Sequence, residues 1–174
     1  MRLIIRAPHQ RPSIVNRDFP VLFEARRGTR PQTCRELPHL QLDQWPNPEI
    51  IEQLHVLARN IPEVYERESR MATPGTHALC IPDEIAKGPA SAFIDDHEFC
   101  HLHPSPRGSI HTTLPLAART ALIEFGWGEK HPGAVGGYLP ETLVMVYAPR
   151  DEEEVRTVLN VISTSLAFAQ GRIE

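Results

Sequence analysis

Two short runs, EFCHLH (98–103) and SIHTTL (109–114), stand on either side of the break PSPRG. β-Branched and aromatic residues enrich the runs, and proline and glycine sit between them, so the segment predicts two strands turning back on each other. A mid-chain hairpin commits its surroundings to antiparallel pairing. The same segment places Glu98, His101, His103 and His111 within fourteen residues.

The flanking sequence supplies the rest of the fold. Further strand candidates lie at about 76–81 (THALCI) and 142–148 (TLVMVYA). Asn47 before Pro48 supplies a helix cap and a proline at the first helical position. Ile50, Ile51, Leu54, Leu57 and Ala58 then make an apolar stripe. Pro115 opens a second helix, with Ala118, Ala121, Leu122 and Phe125 on one face and Gly126 as its stop. Asp151 with Glu154 has the spacing of a capping box ahead of Val155, Val158, Leu159, Ile162 and Leu166. The expected class is α+β: an antiparallel sheet with a central hairpin, packed by about three helices. Regular βαβ units and a glycine-rich phosphate loop are missing, which excludes a doubly wound parallel fold.

With 174 residues the chain fits one domain. There are 17 prolines against 10 glycines, and many prolines fall before residue 50. Residues 1–46 therefore read as an extended N-terminal arm packed on a single domain at 47–174. Short apolar runs in the arm (Leu3–Ile5, Val21–Phe23) alternate with Arg and Pro, and Arg26, Arg27 and Arg30 read as a solvated basic loop. A net charge of −4 gives no basic stripe for nucleic acid. Three cysteines, Cys34, Cys80 and Cys100, with no CxxC, read as reduced thiols. The apolar run in MRLIIRAPHQRP is too short for a signal or a membrane span. These features predict a soluble, cytoplasmic protein with a small-molecule ligand, no nucleic-acid or membrane partner, and an open oligomeric state.

Strand parity decides what the histidines can do. His101 and His103 share one face of their strand. An odd loop, for example Ser105–Arg107, sets His101 opposite His111 and His103 opposite Ser109, so all three imidazoles share that face. An even loop sends His111 to the other side. The odd loop is preferred because it gathers the polar residues together. Converged, the three admit two chemistries. One is a metal site on His101, His103 and His111, with Glu98 or Asp96 orienting a ring. The other is a metal-free pocket in which a histidine acts as general base. The HxH pair lacks the following glutamate of a cupin, which argues against that site. Solvent-facing histidines on an ordinary hairpin are the plainer alternative. A second patch, GWGEKHP (126–132), offers Trp127, Glu129 and His131, with a turn and a packing tryptophan as its plainer alternative. Ser69 and Arg70 are weaker candidates, and Cys100 belongs to the opposite face from His101.

The order of these segments resembles the luciferase-domain family, which joins fungal luciferases to small bacterial proteins. The matching pieces are PHLQLDQ (38–44), GPASAF (88–93), EFCHLHPSPRGSIHTTLP, GWGEKHP and VMVYAPRDEEEV (144–155), together spanning roughly residues 28–168. The resemblance implies oxygen chemistry: the fungal members oxidise a hydroxylated styryl-pyrone with O2, without flavin or nucleotide, and the substrate loses CO2 through a peroxide-type intermediate. It places His101, His103, His111, Glu98, Trp127, Glu129 and His131 at the family's motif positions. The fungal enzymes' N-terminal membrane-like segment has no match in this chain.

Two functions follow as expectations. The first is a monooxygenase-like oxidoreductase, cofactor-independent or metal-assisted, acting with O2 on a phenolic or pyrone-like substrate. His101, His103 and His111 are then catalytic, with His103 or His111 removing a proton from an acidic hydroxyl. Glu98, Arg107, Ser109, Trp127, Glu129 and His131 line the substrate. The second is a non-catalytic module that binds a small ligand or a protein through the same histidine-lined pocket.

Overall fold

The computed structural model describes residues 24–174. The apolar runs at Leu3–Ile5 and Val21–Phe23 lie outside the described residues. Among the described residues, the elements run α1 (Pro48–Arg59), β1 (Tyr65–Glu68), β2 (His77–Cys80), β3 (Glu98–Leu102), β4 (Ile110–Thr113), α2 (Leu116–Glu124), β5 (Gly128–Lys130), α3 (Pro132–Val135), β6 (Leu143–Val146) and α4 (Glu152–Ala169). The strands form one sheet, ordered β1-β2-β3-β4-β6-β5, and every pairing is antiparallel. The fold is α+β. β1 and β5 are additions to the sequence expectation. They are short, charged edge strands (YERE, GEK), and hydrophobic alternation does not mark strands of that kind.

Both long helices begin where the caps predict. Asn47 Oδ1 accepts the Glu49 amide, and Asp151 Oδ1 accepts the Glu154 amide at 2.9 Å. The reciprocal half of the capping box is not made: Glu154 instead accepts the Arg150 backbone N–H and grips the Arg150 guanidinium. α4 lies across β3 and β4 and against α1, while α2 packs beside β5. Val155, Val158, Ile162 and Leu166 are buried as the stripe requires. Two stripes are corrected. Leu57 is 42% exposed and α1 buries His55 in its place; Phe125 is 38% exposed and α2 buries Arg119.

The two sheet faces differ in kind. Leu79, Cys100, Leu102, Ile110, Val144 and Val146 face the helices and form the core. On the opposite face, register aligns Arg67, Ala78, His101, His111, Met145 and Glu129 in one row across all six strands. Residues 33–41 lie over this polar row, while residues 24–30 run along α2 and the start of α4. Pairing of Gln32 with Leu42 and Cys34 with Leu40 doubles the segment back on itself, with an isolated bridge between Thr33 and Gln41. Gln41, fully buried, accepts the Ala148 N–H just beyond β6 at 2.9 Å. Arg26 corrects the reading of a solvated basic loop. It is buried beside Glu154 at 3.6 Å, its guanidinium lies 5.5 Å over the Tyr147 ring, and it donates to the Ala148 carbonyl. Arg27 and Arg30 are exposed.

Candidate functional site

The hairpin takes the odd loop. His101 pairs with His111 and Leu102 with Ile110, and the His103 amide donates to the Ser109 carbonyl. The three imidazoles therefore share the polar face, with His101 Nε2 2.9 Å from His111 Nδ1. The loop that fixes this register bends at Gly108, where φ is +66° and Ile51 of α1 packs close against the backbone.

Glu98 needs a second device. Three residues from His101, it belongs by strict alternation on the core side. Cys80 pairs with Glu98 and Leu79 with Cys100, so Phe99 is an extra residue bulged out of the β3 ladder. The bulge resets the alternation, as such insertions re-aim side chains. Glu98 is thereby turned to His101, whose Nδ1–H donates to Oε1 at 2.7 Å. Ser69 Oγ–H also donates to Glu98 Oε1, and Arg67 Nη2 lies 3.4 Å from Oε2. Phe99 and Cys100 both enter the core. The freed Phe99 carbonyl accepts the hydroxyls of Thr112 and Ser165.

Two more imidazoles complete the cluster. His39, from the covering segment, stacks on His111 with centroids 5.3 Å apart and rings 11° from parallel. His131, at the end of β5, meets His111 edge-on at 4.6 Å and His39 at 4.9 Å. His39, His101, His103, His111 and His131 are all at most 4% exposed. Glu129 reaches the cluster through His39 Nε2–H at 2.8 Å and also accepts from Thr33 and Tyr147. Arg107 stands at the hairpin tip, near enough for its charge to act on His103. Ser109 is buried with an unpartnered hydroxyl. Trp127 is not brought to the cluster. It sits in the core on the other side of the sheet, and its indole N–H reaches the Glu24 carbonyl. Arg70 pairs with Asp95 and also stays apart.

His39 is the cluster member that histidine spacing alone does not reveal. Its only sequence signal is its place in PHLQLDQ, far ahead of the hairpin in the chain.

Hydrogen bonds assign the ring protons. His101 gives its Nδ1–H to Glu98, so Nε2 is a lone pair facing His111 Nδ1, and one cation or proton shared between them satisfies both. His39 gives its Nε2–H to Glu129, leaving Nδ1 as a buried lone pair with no hydrogen-bond partner. His131 accepts the Gly133 amide at Nδ1, so its proton is on Nε2. His103 has no hydrogen-bond partner at either nitrogen, and His111 has none at Nε2. Burial foremost, then the neighbouring imidazoles, pushes the His103 pKa down to about 3, with Arg107 contributing. Burial and then His39 push His131 to about 4, and burial followed by His101, His103 and His131 holds His111 well below the ordinary range. Burial alone raises the Glu129 carboxyl, but the bonds from His39, Thr33 and Tyr147 outweigh it and leave it lowered. The cluster thus sets buried imidazoles with open nitrogen lone pairs beside two carboxylates, and burial keeps His103, His111 and His131 neutral.

Residues 96–165 match the model of the luciferase-domain family, from the start of the bulged strand into α4. A protein named luciferase from Armillaria gallica is 28% identical over 160 residues, covering 82% of this chain and 59% of its own. The luciferase of Neonothopanus nambi is 25% identical over 158 residues with the same coverage. One from Armillaria mellea is 32% identical over 73 residues, 41% of this chain and 27% of that protein. The chain is thus similar to the luciferase-domain family over residues 96–165, and to proteins named luciferase over most of its length. It spans about three-fifths of the length of the first two of these relatives. No solved structure matches it.

Proposed function

We propose that the domain is a small-molecule oxygenase whose reactive centre is the buried histidine cluster and whose substrate is a phenolic or pyrone-like molecule with an acidic hydroxyl. The observation that carries the reading is the convergence of five buried imidazoles on one sheet face in a chain similar to proteins named luciferase. Unpartnered ring nitrogens under a protein surface are costly, about 1–3 kcal/mol each, and such groups concentrate where chemistry is done.

In this reading His39 takes the hydroxyl proton at Nδ1, since its other nitrogen is committed to Glu129. The ionised substrate meets His101, His103 and His111 on the hairpin, with His131 Nε2–H offering a hydrogen bond and Arg107 positive charge to the anion. A carbon of that anion gives an electron pair to O2, forming a C–O bond. The O2 is reduced to a peroxide, which takes up the proton lost from the hydroxyl.

The test is oxygen consumption by the purified protein over a panel of hydroxypyrones and catechols. Uptake by the unaltered protein and at least a 100-fold loss in His111→Ala, with its circular dichroism retained, is the expected result. No uptake across the panel, or full uptake in the folded variant, overturns the proposal. Tight binding without uptake returns the domain to a non-catalytic binding module.

A further inference from the structure

We infer that His101, His103 and His111 form a three-histidine site for one divalent transition-metal ion, on which an ionised hydroxyl oxygen of the substrate binds. The inference rests on reading the cluster as the reactive centre and names what its hairpin half does.

Four observations converge. The three side chains leave two paired strands on the same face, and their ring nitrogens lie within 4.8 Å of one another. The His101 Nε2–His111 Nδ1 separation of 2.9 Å is close to the roughly 3 Å between adjacent ligands on an ion with bonds of about 2.1 Å. His103 is 3% exposed with both nitrogens unpartnered, and a ligated ion would satisfy its lone-pair nitrogen. Finally, His101 gives its far N–H to a carboxylate that is itself held by Ser69 and Arg67. A carboxylate behind an imidazole orients the ring and strengthens it as a ligand. The Phe99 bulge puts Glu98 there, so the fold departs from regular pairing at the residue that supplies this support.

A second trio, His39, His111 and His131, is also close enough to hold an ion. The hydrogen bonds argue against it. His131 Nδ1 already accepts the Gly133 amide, so its remaining nitrogen carries the proton and has no lone pair to offer. In the hairpin trio, by contrast, His101 Nε2 and His111 Nδ1 are committed only to each other and His103 to no partner, so an ion replaces a single shared proton. Three imidazoles suit zinc, iron, nickel or copper rather than magnesium or calcium. Imidazole is a neutral ligand, so the ion keeps its full positive charge, which favours an anionic oxygen as the next ligand. His39 and His131 border the cluster beside His111, where His39 can take the proton of that oxygen.

The experiment uses the full chain, stripped with a chelator and titrated with Co(II) alone, followed by visible absorption and by elemental analysis after gel filtration. One equivalent should bind and produce d–d bands. His103→Gln should weaken binding at least 100-fold and Glu98→Gln about 10- to 100-fold, while His131→Gln should change it less than threefold. Absence of stoichiometric binding by the folded, unaltered chain overturns the site, as does a His131→Gln loss equal to that of His103→Gln. The two proposals fail separately. Oxygen uptake by chelator-treated protein without bound metal removes the metal site and keeps the oxygenase, whereas a bound ion without oxygen uptake does the reverse.

Discussion

At the scale of single residues, burial makes the cluster's protonation state a property of the folded chain. Free histidine titrates near 6.5, whereas native His103 titrates near 3, His131 near 4 and His111 well below the ordinary value. The unfolded chain therefore binds protons below pH 6.5 that the native cluster refuses, and stability falls as pH falls. The fall runs from about 6.5 down to the native values, at about 1.4 kcal/mol per pH unit for each fully refused proton. Urea unfolding of chelator-treated protein should show a falling midpoint between pH 6.5 and 4.5, with His103→Gln flattening the slope by close to one proton. A midpoint unchanged over that range would contradict the burial account. Glu98, His101, His103 and His111 were visible in the sequence as a dense group. Ser69 is only a weak candidate in the sequence, and its role as the brace of Glu98, like that of His39 as the fifth imidazole, was not legible there, because their partners lie 29 and 90 positions away.

At the scale of elements, the hairpin register and the Phe99 bulge together build the site. The odd loop was legible from parity and turn residues. The bulge was not, because no residue in EFCHL marks it. It exists because β2 and β3 pair differently on either side of it, and the core accepts both Phe99 and Cys100. Gly108 ties the hairpin tip to α1. A Cβ there would lie 2.7 Å from Ile51 Cγ1 on a backbone with φ of +66°. Gly108→Ala should cost roughly 1–3 kcal/mol, read from urea midpoints. A change under about 0.5 kcal/mol would mean that α1 yields freely and does not fix the tip. The edge strands β1 and β5 escaped the sequence reading for the converse reason: they contribute pairing and charge, and little apolar pattern.

At the scale of the whole molecule, the sheet has a dry face under the helices and a polar face under residues 33–41. Gln41 holds that cover down. Gln41→Leu removes the acceptor of the buried Ala148 N–H, an unsatisfied donor worth about 1–3 kcal/mol. It should speed amide exchange at Ala148 and limited proteolysis within 27–46, with little change in the helices. Equal protection throughout would show that the cover is held by other contacts. No helix among the described residues is long and apolar enough to cross a membrane.

Local sequence already decided the elements whose signals are local. Caps and apolar period placed α1 and α4, and alternation with turn residues placed the β3–β4 hairpin and three of its imidazoles. Tertiary structure alone decided that the polar face is buried, that Glu98 turns to His101, that Trp127 joins the core instead of the histidines, and that His39 closes the cluster. Each depends on contacts between residues distant in the chain. Backbone propensity carries no information about which distant lone pair or carboxylate a buried imidazole will meet; only packing of the covering segment onto the sheet supplies it.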